Sequence, residues 1–301
     1  MTTSVERVVF DLPNLRLHAL TWGPADGQVL LLLHGFPDSA WNWNAVATEL
    51  GSHGYRVVAP FMRGYAPTGP APDGSYHVAA LMRDVLDLHL ALGAPTDAVV
   101  VGHDWGAFAV NALLAYPDSP FALHVTMAVP NVALLADARG ATLRPPSTMM
   151  RQARNSWYVM FFQLPWIPER LVRHVIPRLW RDWGPSGSEP GSDLEAALAA
   201  LPTDEHARAA IGYYRALARG SRPPQQYADL HAYALAKPVR PVVHIQGELD
   251  GAIVMRFTDI AEPLLPIGSH VVRIPDAGHF MQVEQPHSVV QALLTHLSPR
   301  G

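Results

Sequence analysis

The sequence VVVGHDWGA at residues 99–107 decides the fold. A short apolar run leads through Gly-x-Asp-x-Gly into a second apolar run, which indicates a strand, a sharp turn and a helix with Asp104 at the bend. The glycines let strand and helix approach closely, and the turn lifts the central side chain clear of the backbone. Asp104 then stands at a helix N-terminus, where free N–H groups favour negative charge. This geometry suits a nucleophile, although the pattern alone also fits an ordinary turn whose aspartate caps the helix.

Composition narrows the class of protein. The chain has 301 residues, 49% hydrophobic and 16% charged, and this balance excludes disorder. Its 22 Lys and Arg against 26 Asp and Glu give a net charge of −4, too near neutral for an electrostatic nucleic-acid binder. Cysteine is absent, which removes disulfides, thiolate metal sites and thiol nucleophiles together. Any catalysis must therefore use oxygen or nitrogen groups.

The sequence predicts neither a targeting segment nor a membrane span. The opening residues MTTSVER lack a basic region followed by an apolar stretch, so we expect no secretory signal. Apolar runs such as residues 29–33 fall far short of the roughly 20 residues that a membrane span needs. A soluble, cytoplasmic protein is the expectation.

Alternating strand and helix patterns predict a doubly wound α/β fold. Residues 8–12 and 15–22 favour an antiparallel hairpin at the start of the chain. Short continuous apolar runs follow, as is typical of strands covered on both faces of a mostly parallel sheet flanked by helices. These runs lie at residues 29–33, 57–59, 99–101, 125–129, 242–245 and 271–274. Between them, residues 78–92 show one apolar stripe before Gly93, which indicates an amphipathic helix with a C-terminal cap.

The alternation of strands and helices stops between residues 131 and 227. Aromatic residues and prolines crowd this segment, and it contains no convincing strand pattern. We interpret residues 131–227 as an inserted helical lid, with residues 1–130 and 228–301 forming the α/β core. Aromatic residues at helical spacing are more often core than pocket, yet a lid over a reactive carboxylate would exclude bulk water.

The loop HGFPD after the first buried run is suited to oxyanion binding. It can aim the N–H of Phe36 at an oxyanion, and Trp105, directly after the nucleophile, supplies a second N–H. Two such donors make an oxyanion hole. Taken alone, the same loop also fits a strand-ending turn that needs Gly and Pro.

His279 is the candidate base. It follows the last strand-like run, so it belongs at the carboxyl edge of the sheet, where ligands and catalysis gather in open α/β folds. Two acids follow the preceding strand, and we choose Asp250 over Glu248 as the residue that orients His279. The order nucleophile, acid, histidine matches the order used by hydrolases with a nucleophile elbow.

These segments resemble one family. The stretches HGFPDSAWNW, GHDWGA, GELDGA and DAGHF match, in order and spacing, the α/β-hydrolase fold of the epoxide hydrolase family, close to the haloalkane dehalogenases. The resemblance spans nearly the full chain. It implies an aspartate nucleophile and an α/β-hydrolase fold with an inserted lid.

The chemistry of a carboxylate nucleophile restricts the substrate. Attack on a carbonyl would give a mixed anhydride, whereas attack on a saturated carbon gives an alkyl ester that activated water can cleave. We therefore expect a small apolar epoxide and water as substrates and a vicinal diol as product, with no metal and no organic cofactor. Opening an epoxide releases an alkoxide, which needs an acid on the far side of the carbon.

The resemblance places that acid on two lid tyrosines. The stretch NSWYVMFFQLP matches the family segment with one epoxide-activating tyrosine at Tyr158, and GYYR matches the second at Tyr214. Tyr213 could exchange roles with Tyr214. The candidates for the substrate pocket are Trp157, Phe161, Phe162, Met149 and Met150.

Two alternatives stay open. A haloalkane dehalogenase would use the same aspartate, and the Trp105 indole could bind halide, but position 36 is Phe where such enzymes often have Asn. A non-catalytic ligand-binding protein would keep the α/β-hydrolase fold without the activity. Such proteins often lose a catalytic member, and this sequence retains each one.

Overall fold

The computed structural model describes residues 4–137, 146–187 and 191–297. Its strands are β1 (Glu6–Asp11), β2 (Arg16–Trp22), β3 (Val29–Leu33), β4 (Arg56–Pro60), β5 (Val99–His103), β6 (Leu123–Met127), β7 (Val243–Gly247) and β8 (His270–Ile274). The helices before β7 are α1 (Asn44–Ser52), α2 (Val78–Ala91), α3 (Trp105–Ala115), α4 (Val132–Asp137), α5 (Pro146–Asn155), α6 (Trp157–Phe161), α7 (Ile167–Trp183), α8 (Gly191–Ala199), α9 (Asp204–Arg219) and α10 (Ala228–His231). After β7 follow α11 (Arg256–Ala261), α12 (Met281–Glu284) and α13 (Pro286–His296), and 3-10 turns cover Ala40–Trp43, Gln225–Tyr227 and Glu262–Leu264.

The eight strands form one sheet in the order β1-β2-β4-β3-β5-β6-β7-β8. β1 and β2 form the expected antiparallel hairpin, β2 also pairs antiparallel with β4, and the other neighbouring strands are parallel. The predicted α/β-hydrolase fold is therefore present. In the part of the chain that is described, no helix combines the length and apolar character required to cross a membrane.

The continuous apolar runs are strands buried on both faces. Val100 packs in one hydrophobic cluster with residues of α2 and α3, whereas Val99 and Val101 pack in a second cluster with residues of α1 and α13. Successive side chains of a strand point to opposite faces of the sheet, so both faces of β5 need apolar residues. The strand is therefore continuously apolar and does not alternate between polar and apolar residues.

One predicted strand boundary was wrong. The run at residues 125–129 was expected to be extended throughout, but β6 ends at Met127. Ala128 has a φ of 66°, which turns the chain out of the sheet and lets the N–H of Val129 donate to the carbonyl oxygen of Met127 at 2.8 Å. A positive φ at a residue with a Cβ leaves the extended conformation, and apolar patterning does not reveal it.

The sheet reverses its winding at β3. From β3 the chain moves outward to β4 and then returns to the other side of β3 as β5. The loops that follow β3 and β5 therefore leave the same edge of the sheet side by side. Ligands bind at such a switch point in open α/β sheets, because the loops there diverge and leave a crevice.

A buried arginine joins the α/β core to the helical segment between β6 and β7. The Arg63 guanidinium, fully buried, donates to both carboxylate oxygens of Asp84 on α2 at 2.6 and 2.7 Å. It also donates to the Tyr227 hydroxyl at 3.3 Å, and its backbone carbonyl accepts from the Tyr213 hydroxyl at 2.6 Å. Asp84 of the core and Tyr213 and Tyr227 of the helical segment thus all contact one arginine.

Replacing Asp84 should destabilise the protein strongly. Asp84→Ala leaves Arg63 buried without its main counter-charge, and breaking a buried pair in this way costs about 3–5 kcal/mol of unfolding free energy. Urea unfolding followed by circular dichroism measures the change. Asp11→Ala is the control, because Asp11 and Arg16 form a pair whose side chains are 83% and 71% exposed, and exposed pairs contribute little. Equal losses in the two variants would contradict this account.

Candidate active site

Asp104 occupies the sharp bend between β5 and α3. Its φ of 48° and ψ of −111° lie outside the regions that residues with a Cβ prefer. The bend ends the strand at His103 and starts the helix at Trp105, so the carboxylate stands at the first turn of α3. The predicted elbow is thus formed, with its aspartate buried apart from a small exposed fraction.

The loop after β3 lies directly against this carboxylate. The N–H of Phe36 donates to Oδ1 of Asp104 at 2.7 Å. A Cβ on Gly35 would lie 2.5 Å from the same oxygen and 2.7 Å from the backbone nitrogen of Trp105. Of the two N–H groups predicted for an oxyanion hole, that of Phe36 bonds this oxygen, the backbone nitrogen of Trp105 lies close to the space beside Gly35, and only glycine at position 35 leaves that space open.

Asp250 and His279 come together on the loops after β7 and β8. Nδ1 of His279 lies 3.1 Å from Oδ2 of Asp250, and its Nε2 lies 3.8 Å from Oδ2 of Asp104. Oδ1 of Asp250 is held by the N–H groups of Ala252 and Ile253 at 2.7 and 2.9 Å. Glu248, the competing acid, is exposed, so the structure places Asp250 and not Glu248 beside the imidazole.

The imidazole of His279 is strongly basic in this setting. Burial alone would lower its pKa, but the negative charges of Asp250 and Asp104 outweigh burial and raise the pKa to about 10. The ring is therefore protonated at neutral pH. Its Nε2 is buried and makes no hydrogen bond among the described residues, since 3.8 Å is too long for one.

Tyr158 on α6 and Tyr214 on α9 face Asp104 from the helical segment. Their rings meet edge to face with centroids 5.6 Å apart, and the Tyr214 ring meets the Trp105 indole at 4.9 Å. Burial, together with the negative charge of Asp104, raises the pKa of both phenols, so both hydroxyls keep their protons at neutral pH. Tyr213 points elsewhere, because its hydroxyl donates to the backbone carbonyl of Arg63.

A cavity of about 270 Å³ contains the Asp104 carboxylate and is also lined by Tyr158 and Tyr214. Most of its remaining lining is apolar and consists of Trp105, Phe108, Val129, Pro130, Val132, Leu135, Val159, Leu217, Ala218, Ile253 and Phe257. A second cavity of about 300 Å³ is lined by Tyr213 and contains none of the predicted catalytic groups.

The structure places none of the five predicted pocket residues in the lining of this cavity. Met149 and Met150 are 44% and 71% exposed, and Trp157 contacts Phe161 and the Arg178 guanidinium instead. Phe162 is fully buried behind the site, where its ring meets those of Phe36, Tyr158 and Tyr214. Short helices such as α6 turn only one side to the cavity, and an aromatic-rich sequence does not show which side that is.

Three buried polar residues beneath His279 were not singled out by the sequence. Nε2 of His103 lies 2.9 Å from the carbonyl oxygen of His279, and its Nδ1 lies 3.2 Å from Oδ2 of Asp38. Gln282 donates to that same carboxylate oxygen at 2.9 Å. His103 and Asp38 stand inside the motifs that predict the site, and their polar character at buried positions is the signal that could have identified them.

None of the described residues forms a group of three histidine or carboxylate side chains suited to hold a metal ion. The His279 imidazole and the Phe36 N–H instead lie against the Asp104 carboxylate, at 3.8 and 2.7 Å. The expectation that no metal or organic cofactor takes part stays a prediction.

Removing the nearby charge of Asp104 should lower the pKa of His279. Asp104→Asn deletes one of two carboxylates that raise this pKa to about 10, and Asp250→Asn, which deletes the larger contribution, should lower it further. Nuclear magnetic resonance titration of the imidazole measures both shifts, with His279→Gln identifying the signal. Glu49→Gln is the control, because Glu49 pairs with the exposed His287 at 2.8 Å. An unchanged pKa in both aspartate variants would contradict the charge coupling.

Comparison with known proteins agrees with this architecture. A model of the alpha/beta hydrolase family matches residues 30–292. Epoxide hydrolase A of Mycobacterium tuberculosis is 30% identical over 333 aligned positions, covering 99% of this chain and 98% of that protein. Epoxide hydrolase 3 of Mus musculus is 30% identical over 295 positions, covering 94% of this chain and 74% of that protein.

Solved structures share the fold. The crystal structure of epoxide hydrolase A from Mycobacterium thermoresistibile has a TM-score of 0.72 at 24% identity, covering 99% of this chain and 100% of that one, a likeness that shows the fold alone. An epoxide hydrolase from an endophytic Streptomyces has a TM-score of 0.73 at 25% identity, covering 97% and 94%. With the family model matched along most of its length and a relative 30% identical from end to end, this protein belongs to the α/β-hydrolase family, among its epoxide hydrolases.

Proposed function

We propose that the protein converts an apolar epoxide and water to a vicinal diol through an alkyl ester on Asp104. One observation supports this most directly: a single cavity is lined by the Asp104 carboxylate and by both Tyr158 and Tyr214. An epoxide between them meets a nucleophile at its carbon and two proton donors at its oxygen. The largely apolar lining suits an apolar substrate.

In the first half-reaction, Asp104 attacks an epoxide carbon and the ring C–O bond breaks. The electron pair of that bond moves to the epoxide oxygen, which receives a proton from a tyrosine hydroxyl. Protonated phenols suit this role, because burial beside a carboxylate raises their pKa. The products of this step are an ester at residue 104 and a neutral alcohol on the neighbouring carbon.

Ester formation also changes the state of His279. The carboxylate that lies 3.8 Å from Nε2 becomes neutral, so one of the charges that raise the pKa of His279 disappears. The imidazolium can then release its proton through water to the phenolate, which restores the tyrosine hydroxyl that protonated the alkoxide. A neutral imidazole, the form that accepts a proton from water, is thus generated only after the substrate has been opened.

In the second half-reaction, His279 takes a proton from water and the resulting hydroxide adds to the ester carbonyl carbon. Negative charge develops on Oδ1, the oxygen that the Phe36 N–H contacts at 2.7 Å in the resting enzyme. Collapse of this intermediate breaks the bond between the carbonyl carbon and the ester oxygen, and the leaving alkoxide takes the proton of the newly added hydroxyl, which restores the Asp104 carboxylate. The diol leaves with one Asp104 oxygen, and His279 is protonated again.

We further propose that the helical segment at residues 131–227 is a lid. It supplies Tyr158 and Tyr214, and it excludes bulk water from the buried carboxylate. A buried nucleophile is more reactive when fixed protein groups replace its hydration.

The position of Trp105 favours an epoxide over a haloalkane as substrate. A departing halide needs N–H donors but no proton. Two buried phenols that face Asp104 would therefore not be needed as proton donors in a dehalogenase. The Trp105 indole instead packs edge to face on the Tyr214 ring with centroids 4.9 Å apart, which helps to place that phenol. Diol formation from a styrene-type epoxide without bromide release from a bromoalkane is the expected outcome of a paired assay, and the reverse would favour a dehalogenase.

His279→Gln should trap the ester. Without a base the first half-reaction proceeds and the second stops, so intact-mass measurement should find protein heavier by one substrate molecule. Asp104→Asn is the matched control and should show neither adduct nor turnover. Substantial turnover of His279→Gln without adduct would contradict the covalent mechanism.

Removing the phenol hydroxyls should slow ring opening. We expect Tyr158→Phe and Tyr214→Phe each to slow ester formation at least about tenfold, and the double variant by about 10² to 10⁴, the usual contribution of general acids. Stopped-flow measurement of a single turnover gives this rate. Tyr233→Phe is the control, because its ring packs on Tyr116 with centroids 5.2 Å apart and does not line the cavity. An unchanged rate in the double variant would remove both tyrosines from the mechanism.

A further inference from the structure

The last turn of α7 contacts three of the loops on which the proposed mechanism depends. Nε1 of Trp180 donates to the carbonyl oxygen of Pro37, in the oxyanion loop, at 2.9 Å. The carbonyl oxygen of Trp183 accepts from the N–H of Gly251 at 3.2 Å and from the N–H of His279 at 3.0 Å. One helix end is therefore bonded to the oxyanion, acid and base loops.

The Trp183 carbonyl belongs to the last turn of a helix. Gly184 leaves the helical conformation with φ −84° and ψ 172°, so α7 ends there. The final carbonyl groups of a helix have no partner within the helix and need one elsewhere. Here two catalytic loops supply the N–H groups, so the end of α7 and the placement of these loops depend on each other.

Two glycines make this close approach possible. A Cβ on Gly251 would lie 2.1 Å from the carbonyl oxygen of Asp182, and a Cβ on Gly278 would lie 2.5 Å from that of Trp183. Both conflicts are with backbone atoms, which cannot move aside by changing a rotamer. Any side chain at either position must therefore displace its loop from the helix end.

The Trp183 ring occupies the space between the base and one proposed acid. It is fully buried, with its centroid 5.0 Å from the His279 imidazole and 5.1 Å from the Tyr158 ring. The ring packs the site, whereas the carbonyl makes the directional bonds to both loops.

We propose that the Trp183 carbonyl is a positioning group for ester hydrolysis. By accepting both N–H groups, it holds Asp250 and His279 in the relative placement that proton removal from water requires. The inference rests on the proposed function, since it assigns the Trp183 carbonyl to the second of the two proposed half-reactions. Ring opening depends on Asp104 and the tyrosines and should be little affected, whereas ester hydrolysis depends on His279.

Gly278→Ala tests this role because it displaces the base loop from the end of α7 without removing any catalytic side chain. Rapid quenching and intact-mass measurement follow the ester through a single turnover. Since a shift of about 1 Å can cost a hundredfold, we expect ester hydrolysis to slow about tenfold to a hundredfold and ester formation to change by less than about threefold. Ester should then accumulate at steady state. Gly251→Ala gives the same test from the acid loop if Gly278→Ala does not fold.

Two tryptophan variants complete the design. Trp183→Phe keeps the carbonyl and changes only the packing of the ring, so ester hydrolysis should slow less in this variant than in Gly278→Ala, because the directional bonds survive. Trp166→Phe, at the start of the same helix where the side chain is 74% exposed, controls for the substitution and should leave both steps unchanged.

Three results would overturn the inference: equal slowing of both steps in the folded glycine variants, unchanged hydrolysis in them, or a loss in Trp183→Phe as large as in Gly278→Ala. Failure of the proposed function is distinct. It would appear as no ester in His279→Gln, whereas ester with normal hydrolysis in Gly278→Ala contradicts the positioning role alone.

Discussion

The site depends on the strained bend at Asp104 and on the hydrogen bond that meets it. A φ of 48° at a residue with a Cβ costs of order 1–3 kcal/mol, and surrounding structure must impose it. Here the buried strand β5, the start of α3 and the Phe36 N–H together hold the carboxylate in place. Because Oδ1 is already hydrogen-bonded, the oxygen that becomes an oxyanion in the proposed mechanism needs no reorganisation, which is the advantage of a preorganised site.

Charge balance in the interior is the second constraint. Asp104 and Asp250 are both buried and both face His279, whose pKa they raise to about 10. One imidazolium between two carboxylates reduces the cost of burying these charges. In the proposed cycle the negative charge of Asp104 is lost when the ester forms and returns when the ester is cleaved. His279 therefore loses its proton after the first step and regains it in the second.

The helical segment and the sheet are joined by direct hydrogen bonds, and both contribute residues to the site. Arg63 joins them through its hydrogen bonds with Tyr213 and Tyr227, and the end of α7 joins them at the loops of Pro37, Gly251 and His279. Backbone contacts at Gly251 and Gly278 leave little freedom between the two parts at that point. Close packing of this kind transmits small displacements, because a dense interior cannot absorb them.

The sequence by itself determined the parallel sheet, the bend at Asp104 and the order of Asp104, Asp250 and His279 along the chain. Those features rest on local patterns: apolar runs, glycine spacing and loops that follow strands. Only the tertiary structure decided that Tyr214 and not Tyr213 lines the cavity, because the rotation of α9 depends on a hydrogen bond from Tyr213 to Arg63, 150 residues away. It also decided which apolar side chains line the cavity and that the Trp183 carbonyl contacts both catalytic loops. Such contacts join segments distant in the chain, and each is set by packing that no short stretch of sequence records.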